Sequence, residues 1–151
     1  MKARRIIGAV VFWALTLSIM YIAFGFSSET AAESEQVSQG VLNIIIEHLG
    51  NVISHHMLRK IAHFSEYAAL GFCMGGAIYF TFNKNKFYIP LIPSVIYAAS
   101  DEIHQLFVPE RSCEFLDVII DSCGSSFGIL IFMLILLIIN RIKSKKAQSV
   151  V

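Results

Sequence analysis

The sequence predicts an all-α membrane protein: a bundle of four transmembrane helices with an amphipathic helix lying across its outer end. Three observations lead there. The chain of 151 residues is 56% hydrophobic and only 15% charged, with a mean hydropathy of +0.65, outside the range of soluble globular domains. Four apolar runs, Ile6–Phe26, Ile61–Phe82, Tyr88–Phe107 and Leu116–Asn140, match the roughly 20 residues that a helix needs to cross the hydrocarbon layer. Finally, the segments between these runs alternate in charge. All eleven acidic residues and all five histidines fall on one side of the implied membrane, and the other side carries only Lys and Arg. Because positive charge is retained in the cytoplasm on insertion, both termini are expected inside and the acid/His side outside.

The first span follows Lys2, Arg4 and Arg5, which resembles the basic start of a signal peptide, with Ala31–Ala32 as a small-residue site beyond it. Its apolar stretch is longer than the roughly 7–15 residues of a cleavable core, so it is expected to remain as a helix. After it, Ser27 to Gln36 reads as a loop. From Ser38 the pattern changes: Val41, Leu42, Ile45, Leu49, Val52, Ile53 and Met57 recur at three- and four-residue steps among Asn43, Glu47, His48, Asn51 and His55. That stripe predicts an interfacial helix, broken or bent at Gly50. His48, His55 and His56 are then interfacial or helix-end groups.

The second and third spans are joined by the basic turn Asn83-Lys84-Asn85-Lys86, which makes them antiparallel neighbours. The third and fourth are joined by 108–112, where Pro109 stops a helix. Gly71-x-x-x-Gly75 and Gly124-x-x-x-Gly128 put small residues on one face of each helix and allow close backbone approach. The whole is expected to form a single domain, 1–151. Of the three cysteines, Cys73 lies inside a span, whereas Cys113 and Cys123 lie near the same end and could meet as a disulfide; small buried thiols are the plainer reading. The basic residues are divided among short inner segments, so their role is topological, with attraction to anionic lipid second, and no nucleic-acid partner is implied.

Three spans carry a one-sided polar face at the same depth. His63, Glu66 and Tyr67 share a face on the second, with Arg59 and Lys60 one turn earlier. Asp101, His104 and Gln105 form an i, i+3, i+4 set on the third, with Glu102 turned partly aside; Asp117 and Asp121 are one turn apart on the fourth. Ionisable groups in a membrane helix cost roughly 2.5–3.5 kcal/mol each, so they face a cavity or a partner. Asp117 is equally well explained as a first-turn carboxylate complementing the helix dipole. Asp101 and Glu102 approach a helix C-terminus, where the dipole disfavours them. Against Glu66, Asp101, Glu102, Asp117 and Asp121 stand only Arg59, Lys60 and Arg111. Convergence therefore demands protons, an imidazolium or a bound cation. A divalent metal on His63, Glu66, Asp101 and His104, an ion-pair network, and a metal-free binding or acid–base site all satisfy that demand.

The stretches 59–67, 100–112 and 117–128, with Phe24-Gly25-Phe26-Ser27-Ser28 after the first span, resemble the VanZ-like family. The Asp101-Glu102-x-His104-Gln105 run followed by Arg111 is the most specific part. The resemblance implies a small bacterial membrane protein, and the family's namesake accompanies a glycopeptide-resistance cluster and raises tolerance to teicoplanin. Motif positions carried over are Lys60, His63, Glu66, Tyr67, Asp101, Glu102, His104, Gln105, Arg111, Asp117 and Asp121. Glu110 stands where the family often has Gly, and Cys113 where it often has a small residue. Three functions follow as expectations. As an enzyme on a lipid-anchored envelope precursor or a lipoglycopeptide, the protein would use Glu66, Asp101 or Glu102 as general base, His63 or His104 as partner, and Lys60, Tyr67, Gln105, Arg111, Asp117 and Asp121 to hold the substrate. As a binder it would capture the same amphiphiles without product. A proton-coupled carrier is the weakest, because the inner halves of the spans offer only Ser, Thr, Cys and Gly.

Overall fold

The computed structural model describes residues 2–49, 54–111 and 113–148. Among these the chain is all helix: α1 (Lys2–Ser27), α2 (Ala31–Leu49), α3 (His55–Phe82), α4 (Tyr88–Gln105) and α5 (Phe115–Gln148). Two of them, Lys2–Ser27 with a mean hydropathy of 2.2 and Phe115–Lys146 with 2.5, are long and apolar enough to cross a membrane by composition. The polar residues near the ends of α3 and α4 keep those two helices from meeting the same measure.

The structure moves the start of α2. Residues expected as loop form its first turns, because Thr30 and Glu33 make a reciprocal cap: the Thr30 amide donates to Glu33 Oε2 at 2.9 Å and the Glu33 amide to Thr30 Oγ1 at 3.3 Å. This Thr-x-x-Glu pairing satisfies two donors that a helix start leaves free. The bonds Glu33 accepts also hold its carboxyl below the ordinary carboxylate value. At the other end, α2 stops at Leu49, and Met57 belongs to α3, whose start is capped by Ser54 Oγ accepting from the Met57 amide. The expected break at Gly50, with Asn51, Val52 and Ile53, lies outside the described residues. α3 ends at Asn83, which takes the left-handed conformation at φ 56° and returns its amide to Tyr79 O.

α3 is the centre of the bundle and packs most extensively on α5, then on α1. Its contact with α5 is a seam of backbone against backbone. A methyl group added at Gly124 would strike the Phe64 carbonyl, one at Gly128 the Ala68 carbonyl, and one at Gly71 the backbone of Ser125. The pairs Phe64–Gly124, Ala68–Gly128 and Gly75–Phe132 rise together in number, so α3 and α5 run parallel. α1 runs antiparallel to α3: Arg5 donates to the Phe80 and Thr81 carbonyls, Trp13 Nε1 to Thr81 Oγ1, and the Phe12 ring covers Gly76. Phe12, Phe72 and Phe132 pack on one another between these helices. α4 is tied back to α1 by Tyr97, whose hydroxyl donates to Met20 O at 2.6 Å. The outcome is one end of the bundle rich in acids and histidines and another with the basic turns. Among the described residues the three cysteines are free, with Cys113 and Cys123 exposed.

Two stability changes follow. Gly128→Leu should lower unfolding stability in detergent by about 3 kcal/mol or more, since the obstacle is backbone that cannot turn aside. Glu110, at φ 62°, occupies the region that favours glycine. Glu110→Gly should therefore raise stability by about 1 kcal/mol, read as an increase in Tm.

Candidate functional site

The acid-rich end is assembled by the register of α3 on α5. One turn before the glycine seam, Lys60 Nζ meets Asp117 Oδ1 at 2.6 Å and Glu114 Oε2 at 3.5 Å. A turn further in, His63 Nδ1 lies 3.4 Å from Asp121 Oδ1, near enough for charge pairing but outside hydrogen-bond geometry. Asp117 is thus an ion-pair partner across two helices as well as a first-turn carboxylate. The bond to Asp117, more than the charges around it, holds the Lys60 ammonium above its ordinary value. Glu114, in the loop ahead of α5, was not singled out in sequence. It completes the network, because its amide donates to Glu102 Oε2 at 3.0 Å.

α4 supplies the other wall, and the structure corrects the face it presents. Successive residues turn about 100° on a helix. The buried arc runs from Asp101 through Gln105 to Glu102, which are 4%, 3% and 1% exposed. Glu102, expected to point partly aside, is turned inward to α5. His104, expected inside, falls on the opposite flank: its ring stacks on Phe24 at 4.5 Å, and Nε2 lies 3.1 Å from Ser28 Oγ. The cause is that α4 packs on α5, α3 and α1, so the sector turned to those three helices is buried and His104 lies at its α1 edge. His104 thus sits beside Ser28 and Phe24, off the arc that carries Asp101, Gln105 and Glu102. Among the described residues no three His, Cys, Asp or Glu side chains are grouped as a metal ion would require.

His63, Glu66, Tyr67, Asp101 and Asp121 do converge. Glu66 lies within electrostatic reach of His63, Asp101 and Asp121, and Tyr67 within reach of Asp101 and Asp121. Several of their buried atoms have no hydrogen-bond partner within the protein: His63 Nδ1, Glu66 Oε1, Tyr67 Oη, Asp101 Oδ1, Gln105 Nε2 and both oxygens of Asp121. Native interiors leave few such groups, because each costs about 1–3 kcal/mol. Four of these residues, His63, Glu66, Asp101 and Gln105, border a cavity of about 360 Å³; Tyr67 and Asp121 lie behind its lining. His63, Glu66, Asp101 and Gln105 form one polar side; Phe26 of α1, Val37 and Val41 of α2, and Leu58 of α3 give apolar surface; Arg59, Arg111, Glu29 and the α2 serines Ser34 and Ser38 also line it.

The two arginines differ. Arg111 anchors the loop to α1: Nε donates to Glu29 O at 3.0 Å and Nη2 to Phe26 O at 3.1 Å, a cation set against the carbonyl end of that helix. Burial, and then the positive charge of Arg59, hold the Arg111 guanidinium below its ordinary value. Arg59 makes no hydrogen bond or ion pair among the described residues. Its place in the lining, and the α2 side chains opposite, depend on α2 folding over the helix ends, as the amphipathic stripe led one to expect, though the residues that meet there are set by tertiary contact.

Residues 12–137 match the family described as VanZ/LLP1. The chain belongs to that family. No curated protein and no solved structure matches it. The match spans α1 to most of α5, so the acid/His end and the glycine seam both lie within the VanZ/LLP1 region. With two strongly apolar helices, the family assignment makes this a membrane protein.

Lys60→Met should cost about 3 kcal/mol of stability, because it leaves Asp117 buried without its partner. Lys60→Arg should recover most of it. Since the folded Lys60 value is raised, the pair's contribution is fully present below the ordinary Lys range and is lost only as pH rises through the folded value. Thermal unfolding of the wild type relative to Lys60→Met should therefore show a constant gap from pH 6 to 9 that closes at higher pH.

Proposed function

We propose that the protein is a multi-pass component of the bacterial cytoplasmic membrane, a single domain whose α1, α3, α4 and α5 cross the bilayer, with both termini cytoplasmic. Nine basic residues, Lys2, Arg4, Arg5, Lys84, Lys86, Arg141, Lys143, Lys145 and Lys146, mark the cytoplasmic side. Even the shortest of the four, α4 with 18 residues, rises about 27 Å, close to the hydrocarbon thickness of about 30 Å. α2 then lies at the outer face and closes over the acid/His end.

In this setting the cavity holds the polar head of an amphiphile, an envelope lipid or a lipid-anchored precursor, or an acylated glycopeptide such as teicoplanin. Occupying that molecule shields the envelope and raises tolerance to the antibiotic. One observation carries the reading: a cavity that joins unpartnered buried acid, amide and imidazole groups to an apolar wall drawn from three helices. Polar groups meet a head, and the wall meets the start of a chain.

The His63–Asp121 pair favours a second reading, chemical modification of the same molecule. An imidazole whose Nδ1 faces a carboxylate keeps Nε2 for a proton on a bound substrate, with Glu66 or Asp101 as the alternative base.

Expression in a susceptible Gram-positive host should raise the inhibitory concentration of teicoplanin severalfold and leave that of a glycopeptide without an acyl chain unchanged. Asp101→Asn and His63→Ala should abolish the increase at equal membrane abundance. Unaltered tolerance in both variants would remove the site from the function. A new species in the mass spectrum of lipid extracts, lost with His63→Ala, would select modification over shielding.

A further inference from the structure

The cavity combines groups that no simple ion satisfies. Asp101 and Gln105, both more than nine-tenths buried, line it with unpartnered atoms, Oδ1 as an acceptor and Nε2 as a donor. Glu66 adds a second unpartnered carboxylate oxygen. On the same lining stand Arg59, with all its donors uncommitted, and Arg111, which spends Nε and Nη2 on α1 carbonyls and keeps Nη1. An anion alone would satisfy the guanidinium groups and confront the carboxylates of Asp101 and Glu66, with that of Glu29 also on the lining. A cation alone would do the reverse.

Position along α3 separates Arg59 from Glu66, while Glu29 also stands on the lining near Arg111. Along α3, Arg59 precedes Glu66 by about 10 Å of helix rise, so the guanidinium side lies toward the helix start and the carboxylate side deeper. Phe26, Val37, Val41 and Leu58 supply apolar surface beside them.

We infer that the cavity takes the head of an amine-bearing zwitterionic phospholipid, its phosphate held by Arg59, Arg111 and the Gln105 amide and its ammonium by Asp101 and Glu66. This rests on the amphiphile reading above and gives it a head-group chemistry. Guanidinium with phosphate and ammonium with carboxylate are charge-assisted hydrogen bonds, which use the Arg59 donors, the free Arg111 Nη1 and the unpartnered Asp101 and Glu66 oxygens. The first carbons of the acyl chains lie on Val37, Val41 and Leu58, which assigns the ligand to a lipid and not to a free phosphoamine.

Full-length protein in detergent, titrated with dioleoyl phosphatidylethanolamine, dioleoyl phosphatidylglycerol and soluble phosphoethanolamine and followed by native mass spectrometry, tests this. The ethanolamine lipid should bind about tenfold tighter than the glycerol lipid, the worth of one charge-assisted hydrogen bond. Soluble phosphoethanolamine should bind far more weakly. Arg59→Gln should weaken both lipids alike, and Asp101→Asn should erase the difference between them. If Asp101→Asn does not give a folded, monodisperse protein, Glu66→Gln reads the same loss of preference from a less buried position. Equal or tighter binding of the glycerol lipid, or a preference that survives both carboxylate variants, overturns the head-group assignment and leaves the amphiphile cavity standing. Phosphoethanolamine binding as tightly as the lipid overturns the role of the apolar wall. Absence of binding by either lipid overturns this inference together with the reading beneath it.

Discussion

The close parallel contact between α3 and α5 is the constraint on which the acid/His end depends. Glycines on each helix let backbone touch backbone at Phe64 with Gly124 and at Ala68 with Gly128. Contact that close tolerates neither sliding nor rotation, and its register continues upward to His63 with Asp121 and Lys60 with Asp117. Small residues therefore position large charged ones. Without the seam the same side chains would be free to move apart and disperse their charge into solvent or lipid head groups.

That register also creates an electrostatic problem. Asp117 is answered by Lys60, and Glu102 by the Glu114 amide. Deeper in, Asp121, Asp101 and Glu66 share only His63 among charged neighbours on α3 and α5, and buried oxygens are left without donors. A fold selected for stability alone would fill such positions with apolar residues, since buried ionic groups rarely repay their desolvation. Retaining them beside a cavity with an apolar wall is the arrangement expected of a site that binds something.

Much of this was legible from residue order. Apolar runs, the basic turn at Lys84 and Lys86, and the two Gly-x-x-x-Gly motifs foretold the helices and their close packing. The errors have physical causes. The Thr30–Glu33 cap is a short-range signal that went unused because the flanking serines and acids have the composition of a loop. On α4 the spacing of Asp101, His104 and Gln105 defines a face, but a polar helix packed on three neighbours buries whichever sector is turned to them. Here that sector took Glu102 and released His104 to Phe24. Glu114 was missed because its role is played by a loop amide, which has no side-chain signature.

Sequence by itself determined the membrane character, the separation of acids from basic turns and the small-residue faces, because composition, charge and helical period are properties of a chain before it folds. Tertiary structure alone decided which of the polar groups meet, and which of them face the cavity. Those outcomes depend on helix rotation, on the loop carrying Arg111 being tied to the end of α1, and on α2 closing over the bundle. Such contacts join residues up to 85 positions apart, and no local pattern records them.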